Sequence, residues 1–207
     1  TGGIAYGIEV YDSATDTDAF RAMFAVRGKA LYPEMDFMFS MIREVLTTSR
    51  LDDTKRLYEI IARVKSRAQA NLVSAGHSTA VLRGASYASP MAAFQDEMAG
   101  IGYYQFIEKL EKNFDSCKEE IVKNLRKVME EVLRPENFSV SYTGERESLD
   151  AVKVQAGEIK KILFNGQKPE TSSQPSCTKK NEAFKTSGQV QYVAQSGNFR
   201  KKGLEYT

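Results

Sequence analysis

Residues 4–46 read IAYGIEVYDSATDTDAFRAMFAVRGKALYPEMDFMFSMIREVL, and their hydrophobic period changes once, at Pro33. Before it, Ile4, Tyr6, Ile8 and Val10 alternate with Ala5, Gly7, Glu9 and Tyr11, the period of two expected of a strand with one buried face. Asp12 to Asp16 supplies turn chemistry. Phe20, Ala22, Phe24 and Val26 then alternate against Arg21, Met23, Ala25 and Arg27, which predicts an antiparallel neighbour. After Pro33, a residue suited to a first helical turn, Met35, Met38, Phe39, Ile42, Val45 and Leu46 follow helical spacing.

Outward from this stretch, a second helix is predicted near Asp52, carrying Leu57, Ile60, Ile61, Val64, Ala68 and Leu72 inward until Gly76 stops it. Thr79 to Ala88 is small and weakly amphipathic. Ser89-Pro90 reads as a cap and first-turn proline opening a helix through Met91, Phe94 and Met98, which Gly100-Ile101-Gly102 breaks. Tyr103, Tyr104, Phe106, Ile107 and Leu110 continue as a short helix. Asp115-Ser116 caps a longer one with Ile121, Leu125, Val128, Met129 and Val132 on its inner face. Phe138, Val140 and Tyr142 predict a third strand, and Ser148 to Phe164 returns to helical spacing with Leu149, Val152, Ile159 and Leu163. The order predicts an α+β fold, with helices packed on one face of a small, mainly antiparallel sheet. Residues 1–165 form this domain. Residues 166–189, with Pro169, Pro175, Ser172, Ser173, Ser176, Lys179 and Lys180, read as a polar linker. Val190, Tyr192 and Ala194 make 190–207 the first strand of a following, truncated domain.

The 207 residues are 42% hydrophobic and 27% charged, ordinary globular usage that argues against collagen-like, wholly disordered and coiled-coil classes. With 29 Lys and Arg against 27 Asp and Glu, the net charge of +2 calls for no nucleic-acid or membrane partner. The basic face of the second helix lacks interleaved aromatics for base stacking, and Arg200-Lys201-Lys202 reads as a solubilising end. No apolar run approaches the ~18 residues of a membrane span. The opening Thr1-Gly2-Gly3-Ile4, without an initiator Met, reads as an excised piece of a longer chain. The expected compartment is the cytoplasm, or an organelle matrix if a missing N-terminus carries a transit peptide.

Candidate chemistry is sparse. His77 is the only histidine, whereas catalytic zinc sites usually take three protein ligands, most with at least one His. It sits in Ser74-Ala75-Gly76-His77-Ser78, beside a glycine cap and outside any Gly-x-Ser-x-Gly elbow, and reads as a helix-terminal residue. Cys117 and Cys177 have no C-x-x-C spacing, and Cys117, near a helix start but without a neighbouring charged His, reads as structural. Gly100-Ile101-Gly102 lacks the third glycine and the preceding strand of a dinucleotide loop, and reads as a helix break with close backbone approach. No catalytic, cofactor-binding or metal residue is assigned.

The order of Thr1-Gly2-Gly3-Ile4, Lys29-Ala30-Leu31, Leu51-Asp52-Asp53-Thr54-Lys55-Arg56-Leu57, Ser74-Ala75-Gly76-His77 with Ala80 and Arg83, Gly100-Ile101-Gly102 and Val190-Gln191-Tyr192-Val193-Ala194 resembles the pitrilysin or insulinase-type zinc metallopeptidases. Within them it is similar to the presequence protease subfamily, at the first domain of the C-terminal half. The resemblance implies four related α+β domains in two bowl-shaped halves, around a chamber that admits unfolded peptides. It implies zinc in the parent enzyme only, held in the N-terminal half by an inverted His-x-x-Glu-His motif and a distal Glu, and none bound by this fragment. No such motif occurs here, and the Arg and Tyr contributed by the C-terminal half lie in its last domain, beyond Thr207. The implied role is a non-catalytic chamber wall, inactive alone, whose partners are the other domains of the same peptidase chain and unfolded peptides. The alternative is a stand-alone helical protein-interaction module unrelated to proteolysis.

Overall fold

The structure, a computed structural model, describes residues 2–166 and 175–204. Residues 167–174 of the expected linker lie outside the described residues. The chain order is β1 (Gly3–Asp12), β2 (Phe20–Lys29), α1 (Met35–Thr48), α2 (Thr54–Ser74), α3 (Gly76–Ser86), α4 (Pro90–Ala99), α5 (Ile101–Lys112), α6 (Phe114–Val132) and α7 (Leu149–Lys161). β1 and β2 pair as a two-stranded antiparallel sheet, so the fold is α+β. The chain divides into two units, each described by itself.

Unit 1 gathers the described residues of Thr1–Glu9, Met23–Asp53 and Glu119–Thr171. Pro33 sits in a 3-10 turn, Tyr32–Glu34, that leads directly into α1. Met35, Phe39 and Ile42 fall on one stripe of α1, and Val152 and Ile159 on one stripe of α7; the two stripes meet as the core. Met38, Leu46, Phe138, Tyr142, Ala151 and Leu163 close around it. At its edge Gln155 links both sides of α1, accepting from Arg43 at 2.5 Å and donating to Asp36 at 2.7 Å. Met38 lies over Gly28 of β2, where a Cβ would collide with its side chain, so α1 rests on the sheet at that point.

The fold departs from the sequence expectations at three places. The alternation in β1 predicts one buried face, yet Ile4, Tyr6 and Ile8 are 40%, 78% and 51% exposed. A two-stranded sheet has more face than this chain supplies cover for. The third strand over 138–143 does not form, because no neighbouring strand among the described residues offers a ladder; Phe138 and Tyr142 pack on the α1–α7 core instead. The inner face expected on α6 is also only partly covered, with Leu125, Val128 and Val132 exposed.

Unit 2 gathers Val10–Ala22, Thr54–Lys118 and the described residues of Ser172–Thr207. α2 packs on α5, α5 on α4, and α4 on α3. Ile61, Ala92, Ala93, Ile101, Ile107 and Phe114 are buried among these helices, while Ile60, expected inside, is exposed. Lys65 pairs with Glu111 at 2.5 Å, and the Tyr58 ring packs on Phe114 at 5.2 Å between ring centres. In the hairpin turn Ser13 Oγ accepts from the backbone N–H of Asp16 at 3.1 Å, and the Phe20 ring packs on Phe94 at 5.3 Å. Residues 175–196 form neither helix nor strand, so the run 190–194 makes no ladder. No helix among the described residues is long and apolar enough to cross a membrane.

Candidate functional site

The densest polar cluster in unit 2 starts from the Gly100-Ile101-Gly102 break. α4 begins with Ser89, whose Oγ accepts from Ala92 N–H, and Pro90 in the first turn; it ends at Gly100, from which α5 starts immediately. Asp96, 2% exposed, reaches across this junction and accepts from the N–H of Ile101 at 3.1 Å and of Gly102 at 3.0 Å. A carboxylate there satisfies two donors that have no intrahelical partner and opposes the positive end of the helix dipole. The approach is possible because both glycines lack a side chain: a Cβ on Gly102 would lie 2.8 Å from Asp96 Oδ2, and one on Gly100 would meet the same carboxylate. The break is thus the close backbone approach that the spacing suggests.

Arg83, in the last turn of α3, balances Asp96 with an Nη1–Oδ2 bond of 2.6 Å. Its other edge grips Glu182 with a two-pronged bond, Nε to Oε2 at 3.1 Å and Nη2 to Oε1 at 3.2 Å and to Oε2 at 2.9 Å. The guanidinium carbon lies 5.6 Å from the ring centre of Tyr87 and 5.8 Å from that of Phe184. Burial works against the charge on Arg83, but the bonds to Glu182 and Asp96 outweigh it and raise its pKa. Burial also opposes the charge on Glu182, yet hydrogen bonds from Arg83 and Tyr87 hold its carboxyl below the ordinary glutamate value. The Tyr87 phenol is pushed up, first by burial and then by the Glu182 carboxylate. A cleft of about 520 Å³ opens beside this cluster, lined by Arg83, Tyr87, Asp96, Phe106 and Lys180 among others. A guanidinium that stays charged, between two carboxylates, cannot act as a proton carrier; what this arrangement does is hold a carboxylate.

The residues weighed in the sequence fall elsewhere. His77 is exposed in the first turn of α3, its ring 5.9 Å from that of Tyr192. Gly76 marks a boundary as expected, but as the first residue of α3, where a Cβ would lie 2.7 Å from the Tyr192 ring. Cys117 and Cys177 are half-buried free thiols, and burial pushes Cys177 up, against the lowering influence of Lys201. Lys201 is paired with Asp18 at 2.6 Å, and Arg200 donates to the Ala14 carbonyl, so the basic end is tied down within unit 2. Arg83 enters the sequence reading only through the resemblance, and Asp96 and Glu182 not at all. The signal for Asp96 is its position four residues before Gly100; Glu182 carries none, because it belongs to the irregular segment.

The family described as peptidase M16 subfamily C associated matches residues 1–110 of the 207. Protein HypA of Clostridium perfringens is 28% identical over 207 residues, covering 100% of this chain and 21% of that protein. Presequence protease 1, chloroplastic/mitochondrial, of Arabidopsis thaliana is 26% identical over 208 aligned positions, covering 96% of this chain and 19% of the relative. The mitochondrial presequence protease of Yarrowia lipolytica is 27% identical over 143 residues, 68% of this chain and 14% of the relative. The chain therefore spans about a fifth or less of the length of these curated relatives. With the family match running through β1, β2, α1 to α4 and most of α5, Arg83, Asp96 and the Gly100–Gly102 junction included, the chain belongs to this peptidase-associated family.

Proposed function

We propose that this chain is a non-catalytic chamber-wall domain from the C-terminal half of a zinc-dependent, oligopeptide-degrading metallopeptidase. The observation that carries the reading is the alignment of nearly the whole chain with a fifth of a presequence protease. In this role residues 1–165 form the wall, 166–189 a linker, and 190–207 the start of a following domain. The partners are the other domains of the same peptidase chain and unfolded peptides, in an organelle matrix or, for a bacterial parent, the cytoplasm.

The residues present do not fit a zinc site. His77 faces the Tyr192 ring, and among the described residues no three His, Cys, Asp or Glu side chains converge. The metal belongs to another part of the parent chain, and the wall's contribution is to hold an extended peptide and to contact the opposite half on closure. The test is complementation. Mixing this chain with the matching N-terminal half and the missing last domain should restore chelator-sensitive hydrolysis of an unstructured peptide, while the chain alone cleaves nothing. A mixture no more active than its parts would favour the stand-alone interaction module, and chelator-sensitive hydrolysis by the chain alone would overturn the reading outright.

A further inference from the structure

Residues 182–196 have linker-like composition and no ladder or helix of their own, yet they are anchored to α3 at three places. Glu182 and Phe184 engage Arg83 near the end of the helix, through the forked ion pair and the ring contact at 5.8 Å. Tyr192 lies against Gly76 and the His77 ring at its start. The chain then returns, and Ser196 Oγ donates to the Gly84 carbonyl. The helix surface suits this. Gly76 leaves room for the Tyr192 ring, and a Cβ at Gly84 would stand in ordinary contact with Ser196 and Ala194, at 3.5 and 3.8 Å. The ion pair is largely withdrawn from water, with Arg83 17% and Glu182 21% exposed, so its fork geometry selects a carboxylate and not merely a negative charge.

A segment without internal structure, held by a few specific side-chain contacts, sits at the low end of the local stability range and is bound as a ligand is bound. We infer that α3 is a receptor for an extended peptide that presents a carboxylate two residues before an aromatic ring, and that residues 182–196 are its resident, displaceable ligand. The sequence Glu182-Ala183-Phe184 meets that requirement in cis. Because a tethered ligand acts at an effective concentration of order millimolar, a free peptide enters only when the resident segment is weakened. This inference is independent of the chamber-wall reading and stands or falls without it.

The experiment uses the full chain in a Cys117→Ser, Cys177→Ser background. Gly84→Cys with Ser196→Cys should form a disulfide under mild oxidation, since the Cβ separation of 3.8 Å matches an unstrained bridge. A fluorescent peptide of residues 180–196 is then titrated onto each form. Binding to the Glu182→Gln chain should be at least tenfold tighter than to the parent chain, should vanish in the oxidised bridged form, and should return on reduction. The same peptide carrying Glu182→Gln, or the Arg83→Lys chain, which keeps a charge beside Asp96 but loses the fork, should bind at least tenfold more weakly. A folded chain that fails to bridge, a peptide that binds the bridged form as well as the reduced one, no binding to any form at millimolar peptide, or affinity indifferent to the carboxylate would each overturn the inference.

Discussion

Asp96 carries more of unit 2 than any other single side chain, because one carboxylate answers Arg83 and two backbone N–H groups at the head of α5. Removing it strands a charge and two donors where little water reaches. Asp96→Ala should therefore cost about 3–5 kcal/mol in thermal or denaturant unfolding. Asp96→Asn, which keeps the shape but turns one oxygen into a donor facing donors, should lose somewhat less and still far exceed a surface substitution. Gly102→Ala probes the same contact from the backbone side. Its methyl group would enter at 2.8 Å from Oδ2, so a loss of about 1–3 kcal/mol is expected from the forced shift. A melting temperature unchanged in both variants would mean that the junction does not depend on this approach.

At the scale of elements, α1 shows what sequence period can and cannot give. Phe37 and Phe39 are two residues apart and equally apolar, but only Phe39 shares the stripe of Met35 and Ile42; it is buried, and Phe37 is 63% exposed. Phe39→Ala should cost about 3–5 kcal/mol, while Phe37→Ala should stay within about 0.5 kcal/mol, a contrast that parallel urea titrations read directly. Helices with such stripes, and the cap at Ser89, were legible because their signals are local. The missing third strand, the exposed face of β1 and the seat of Glu182 were not, since each depends on what lies across from the segment and not on its own residues. The anchored segment also predicts a pH dependence. Glu182 faces Arg83 and Tyr87 of the α3 side and Lys180 of its own segment, at 3.6 Å, and its pKa is lowered in the docked state. The undocked state then binds more protons at acid pH, so docking is complete above the ordinary glutamate range and is lost as pH falls through the lowered value. The Phe184 ring resonances should move over that acid window in the parent chain and stay flat in Glu182→Gln.

For the molecule as a whole, burial is uneven in a way that fits a chain spanning a fifth of its relatives. Helix stripes are covered where the chain supplies a second helix, as in α1 against α7, and apolar positions remain in water where it supplies none, as on β1 and α6. An apolar residue already in water contributes no transfer free energy to folding, whatever its pattern in the sequence suggests. Ile4 and Ile8 test this. Threonine keeps the branched Cβ that a strand favours, so the double substitution Ile4→Thr, Ile8→Thr removes only apolar surface and leaves backbone preference nearly intact. The melting temperature of this chain should then change by no more than a surface substitution changes it, while Ile159→Ala, at a residue 6% exposed in the α1–α7 core, should cost about 2–5 kcal/mol. If the two threonines destabilised the chain as much as Ile159→Ala, the β1 face would have to be covered within this polypeptide, and the uneven burial would lose its meaning as the mark of a domain built to be completed by neighbours.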